Sequence, residues 1–69
     1  MPANPSNRLP PPRQQDVLDF LVRGMTNKEI AARLGISERG VKHHVSRLFV
    51  FYKVASRAEL IAITLRRKR

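Results

Sequence analysis

Sixty-nine residues allow one domain with one small core. The absence of cysteine excludes disulfides and thiolate metal sites, so stability must come from helix packing or self-association, and it fits a reducing cytosol. Fourteen Lys and Arg against five Asp and Glu give a net charge of +9, which attracts polyanions, nucleic acid first and an anionic membrane second. No apolar run approaches the roughly 20 residues that span a bilayer, and the proline-rich start lacks the apolar stretch of a secretory signal.

Residues 1–12 hold all five prolines, which remove backbone donors and disfavour helix before them. Residues 1–9 therefore read as a disordered tail or linker remnant, and residues 10–69 as the folded domain. The spacing predicts a first helix from Pro12 or Arg13 to Arg23, with Pro12 suited to its first position and Gly24 as its stop. Val17, Leu18, Leu21, Val22 and Met25 give it one apolar face, and Asp16 and Asp19 lie toward its favourable N-terminal end.

A second helix starts at a capping box, Thr26-Asn27-Lys28-Glu29, buries Ile30, Ala31 and Leu34, and stops at Gly35. About two turns would not persist alone, so this helix requires packing on its neighbours. Ile36 then enters the core and Ser37 caps a third helix from Glu38 to Phe51 or Tyr52. Its inner face is Val41, Val45, Leu48, Phe49 and Tyr52; Arg39, Lys42, His43, Ser46, Arg47 and Val50 fall on the other side. A second capping box, Ser56-Arg57-Ala58-Glu59, opens a fourth helix carrying Leu60, Ile61, Ile63, Thr64 and Leu65. The cations Arg66 to Arg69 end it, where they complement the helix dipole. With no credible strand and no repeat, the fold class is all-α: a compact four-helix domain.

Three residues separate Leu34 from Glu38, and one is glycine; such a turn between two amphipathic helices is the connection of a helix-turn-helix unit. In such a unit the second helix enters the DNA major groove and the first crosses the backbone. That assigns residues 38–52 as the reader and places Asn27 and Lys28 at a helix N-terminus able to hold a phosphate. The competing reading of the basic face is a solvated surface opposite a core stripe.

The span from Pro10 to Leu65 resembles the LuxR/GerE-type helix-turn-helix domain of bacterial transcription regulators. The matching stretches are Arg13 and Asp16-Val17-Leu18, then Gly24-Met25-Thr26-Asn27-Lys28-Glu29-Ile30-Ala31, Leu34-Gly35-Ile36-Ser37, Val41-Lys42-His43-His44 and Val54-Ala55-Ser56-Arg57-Ala58-Glu59-Leu60. The resemblance implies double-stranded DNA as partner and a third helix that reads the major groove. Carried over by position, Lys42, His43, Ser46 and Arg47 face bases and nearby phosphates, with Arg39 on the same face; Asn27, Lys28, Ser56 and Arg57 meet the backbone. It further implies a fourth helix that pairs two copies, at least on DNA, through Val54, Leu60, Ile61, Thr64 and Leu65. Leu60 and Thr64 are expected to face out, Ile61 and Leu65 in. A bacterial, cytoplasmic, nucleoid-associated protein is implied. Neighbouring His43 and His44 point about 100° apart and make a poor metal chelate, so no metal or cofactor is expected.

Several positions depart from the family pattern. Gln14 stands where Glu is usual, Pro11 replaces a Ser or Thr cap, and Gly40 replaces Thr early in the reading helix, at a cost of about 1 kcal/mol in helix propensity. Lys53 occupies a position where a left-handed cap is common. Val50 and Phe51 are apolar where basic residues are usual; they extend a self-association or partner surface, or they enlarge the core. A sequence-specific transcription regulator is the leading reading, and a protein-interaction module that has lost DNA specificity is the second. An enzyme is a distant third, since no phosphate loop, Ser/His/Asp arrangement or metal cluster is present.

Overall fold

The computed structural model describes residues 9–67, without the Arg67 side chain, so the proline-rich tail up to residue 8 and the cations at 67–69 lie outside the described side chains. Four helices follow one another: α1 (Pro12–Val22), α2 (Asn27–Leu34), α3 (Glu38–Tyr52) and α4 (Arg57–Arg67). No strand occurs among the described residues, and no helix there is long and apolar enough to cross a membrane.

The helix starts follow from local chemistry. Pro12 takes the first position of α1, where its missing N–H costs nothing, and the Pro11 carbonyl accepts the Gln15 amide at 2.9 Å without any side-chain cap. No acid lies in the first turn of α1. Contrary to the dipole role expected for them, Asp16 pairs with exposed Arg13 at 3.8 Å and Asp19 accepts the Gln15 amide group at 3.0 Å. The α2 capping box is complete: the Glu29 amide donates to Thr26 Oγ1 (3.1 Å) and the Thr26 amide to Glu29 Oε1 (2.8 Å). Ser37 Oγ accepts the Gly40 amide at 3.0 Å. At α4 the expected box is displaced: Ser56 Oγ accepts the Glu59 amide (3.1 Å), but Glu59 Oε1 takes the amide of Ala55 rather than of Ser56, at 2.9 Å.

The core draws on all four helices: Val17, Leu18 and Leu21 from α1, Ile30 and Ala31 from α2, Val41, Val45 and Leu48 from α3, and Leu60 from α4. Burying each large aliphatic side chain is worth about 1.5–3 kcal/mol relative to leaving it in water. α3 packs on both α1 and α2, while the backbone of α4 approaches α1 and α3 but not α2. This anchoring of α3 through Val41, Val45 and Leu48 decides which of its sides faces outward.

The phase of α4 corrects the sequence reading. Leu60 (0% exposed) and Thr64 (6%) point into the core, whereas Leu65 is 52% exposed and Ile61 only partly buried. Thr64 tolerates burial because its hydroxyl donates to the Leu60 carbonyl at 2.8 Å, which satisfies the polar group inside its own helix. Leu60 and Thr64 are therefore not available to a second copy.

Candidate nucleic-acid interface

Opposite the buried stripe of α3, the side chains of Arg39, Lys42, His43, Ser46 and Arg47 are all exposed. Among the described residues none of their side chains forms an ion pair or a hydrogen bond, so their donors stay available. Fifteen helical residues span roughly 22 Å. A cylinder of that length carrying donors along one side fits the major groove, whose base edges present matching acceptors.

The two histidines differ in role. His43 is exposed and His44 half-buried, their rings 6.0 Å apart at 62°. His44 Nδ1 is buried without a partner among the described residues. Burial, then the neighbouring His43, then Arg13 on α1 lower the His44 pKa from its ordinary 6.5.

Beside α3, the N-terminal turns of α2 and α4 carry the residues expected on the DNA backbone. Lys28 and Ser56 are exposed. Asn27 and Arg57 are instead joined to each other: Arg57 Nη1 donates to Asn27 Oδ1 at 2.9 Å and Nη2 to the Met25 carbonyl at 2.6 Å. The expected phosphate contact thus has its guanidinium committed within the protein. A sequence signal existed, since a cation in the first turn of a helix opposes the dipole and calls for a reason.

Along the α4 edge, Val54 and Ile61 are partly buried and Leu65 is exposed, leaving these three of the five residues expected to pair copies within reach of one. At the far end of α3, Val50 is 76% exposed and Phe51 half-buried, its ring edge-on to Tyr52 at 4.9 Å. With Pro11, Gln14 and Arg47 they line an open depression of about 440 Å³.

Comparisons with known proteins bear on the family of the chain. The sequence pattern described as "GerE: Bacterial regulatory proteins, luxR family" matches residues 11–64. A probable transcriptional regulator, ycf29, of Cyanophora paradoxa is 52% identical over 54 residues, 78% of this chain and 26% of its own length. The response regulator Rre1 of Synechocystis is 50% identical, again over 78% of this chain and 23% of its own. The nitrate/nitrite response regulator NarL of Escherichia coli is 44% identical over 70% of this chain and 22% of its own. The chain thus spans about a quarter of the length of these relatives. With a family match over residues 11–64, most of its length, the chain belongs to the LuxR family of bacterial regulatory proteins.

Proposed function

We propose that this domain binds double-stranded DNA and regulates transcription, with α3 in the major groove. The observation that carries the reading is the uncovered face of α3, where Arg39, Lys42, His43, Ser46 and Arg47 present unpaired donors. In this reading Lys42, His43, Ser46 and Arg47 meet bases and adjacent phosphates, while Lys28, Ser56 and the Asn27 side chain meet the backbone. Two copies bind half-sites about one helical turn apart, paired along α4. The relatives named as transcriptional or response regulators support regulation of transcription as the outcome. The site of action is the bacterial cytoplasm, at the nucleoid, and the reading invokes no metal or cofactor. Lys42→Ala tests it: on a duplex selected from random sequence, affinity falls by about 1–3 kcal/mol, with less loss on random DNA. Equal losses on both would make Lys42 a phosphate contact, and a wild-type domain that binds no duplex would end the reading.

A second reading, a protein-interaction module on the same fold, draws on Val50 and the depression beside it. Here Val50 and Phe51 form a partner or self-association surface. Replacing both with Lys would then lower the molecular mass measured in solution or abolish partner binding while α3 still binds DNA. Unchanged mass and unchanged stability would rule this surface out.

A further inference from the structure

Arg57 and Asn27 lie 30 residues apart, on two helices whose backbones do not approach one another. Two hydrogen bonds from one guanidinium nevertheless tie the start of α4 to the start of α2. The Arg side chain offers only donors, so its partner on Asn27 must be the carbonyl oxygen, which fixes which way the Asn27 amide is turned. The opposite corner, Nδ2, has no partner among the described residues and is not among the buried unpaired atoms there, so it faces outward. The capping box occupies the amides of Thr26 and Glu29, leaving the Asn27 side-chain N–H groups beside the exposed ammonium-bearing Lys28. Meanwhile Arg57 opens α4, where the helix dipole disfavours a cation.

We propose that Arg57 is a positioning residue: it grips Asn27 Oδ1 and the Met25 carbonyl so that the Asn27 N–H donors are held outward against a phosphate of the bound duplex. This rests on the reading of the domain as a DNA binder. Arg57 itself touches no phosphate. The Nη2 bond to the Met25 carbonyl steadies the guanidinium and the Nη1 bond restricts the Asn27 side chain before DNA arrives, so less freedom is lost when the contact forms. They also tie together the starts of α2 and α4, whose backbones do not otherwise approach each other.

The test is a coupling measurement on the whole chain. Arg57→Lys keeps the charge but replaces the planar two-nitrogen fork with a single, shorter-reaching nitrogen, and Asn27→Ala removes the donors. Each is expected to weaken binding to the selected duplex about threefold to tenfold, the worth of one hydrogen bond. The double variant should be no weaker than the worse single one. In the free protein, the NMR signals of the Asn27 side-chain amide should move in Arg57→Lys. If the two losses multiply, or if those signals stay put, the proposal is overturned. Should Arg57→Lys fail to fold, Asn27→Asp takes its place: the carboxylate keeps the grip on Arg57 but offers no donor and repels phosphate. It must bind more weakly than Asn27→Ala, and wild-type affinity in Asn27→Asp would overturn the proposal. The wild-type control separates the two claims. No binding to any duplex removes the DNA reading and this proposal with it, whereas binding with independent losses removes the proposal alone.

Discussion

His44 adjoins the cation-bearing side of α3, with Nδ1 enclosed and unpartnered and with His43 and the α1 residue Arg13 as its charged neighbours. Burial and those neighbours all disfavour its protonated form, so its folded pKa lies below the ordinary 6.5. Between the two values the unfolded chain takes up a proton that the folded domain declines, and stability therefore rises with pH. The His44 contribution is complete above the unfolded pKa, is lost as pH falls through the window toward the folded value, and is flat below it. The urea midpoint should accordingly fall from about pH 7.5 to about pH 5 in the wild type, and His44→Gln should flatten this slope. An unchanged slope would mean that another group titrates there. The helical angle between neighbours already separates His43 from His44 in the sequence. The approach of Arg13, thirty-one positions earlier, becomes visible only once α1 and α3 are packed.

Three of the four helices described here end on a left-handed residue: Gly24 (φ +86°), Gly35 (φ +70°) and Lys53 (φ +57°). Each sends the next amide back into the helix: Met25 to the Phe20 carbonyl (3.3 Å), Ile36 to Ala31 (3.1 Å) and Val54 to Phe49 (3.0 Å). Only Lys53 has a Cβ to strain in that conformation, at a cost of about 1–2 kcal/mol. Glycine relieves the strain but gives back about 0.5–1 kcal/mol in unfolded-chain entropy. Lys53→Gly should therefore stabilise the domain by about 0.5–1 kcal/mol, seen as a rise of a few degrees in Tm. A fall would show that the Lys53 side chain contributes packing of its own. Such ends and caps were legible because their partners lie within one turn: Thr26 and Glu29 find each other by spacing alone. The α4 phase was not legible. Apolar residues at 60, 61, 63, 64 and 65 fit two stripes, and Thr64 reads as polar until its hydroxyl is seen bonded to the Leu60 carbonyl. The Arg57 tie to α2 was hidden for a different reason, since nothing local announces a contact across 30 residues.

At the scale of the molecule, surface and core divide the work of α4 between residues that look alike in sequence. Leu60 is fully buried among side chains from the other three helices, so Leu60→Ala opens a cavity and costs about 2–5 kcal/mol. After chain entropy is offset, the net stability of a chain of this size is only about 3–5 kcal/mol, so that substitution should leave the domain largely unfolded. Leu65 meets solvent over half its surface, and a lysine there should change folding stability by no more than about 0.5 kcal/mol. If two copies pair along the Val54, Ile61 and Leu65 edge, that lysine places like charges against each other across a two-fold axis, because the same patch recurs on both partners. Leu65→Lys should then still occupy a single half-site at near wild-type affinity while losing the cooperative second copy on a duplex with two. The mass of the protein–duplex complex, measured at increasing protein concentration, distinguishes one bound copy from two. Cooperative binding of two Leu65→Lys copies would place the contact elsewhere on the molecule, and the exposed Val50 at the far end of α3 would be the next surface to substitute.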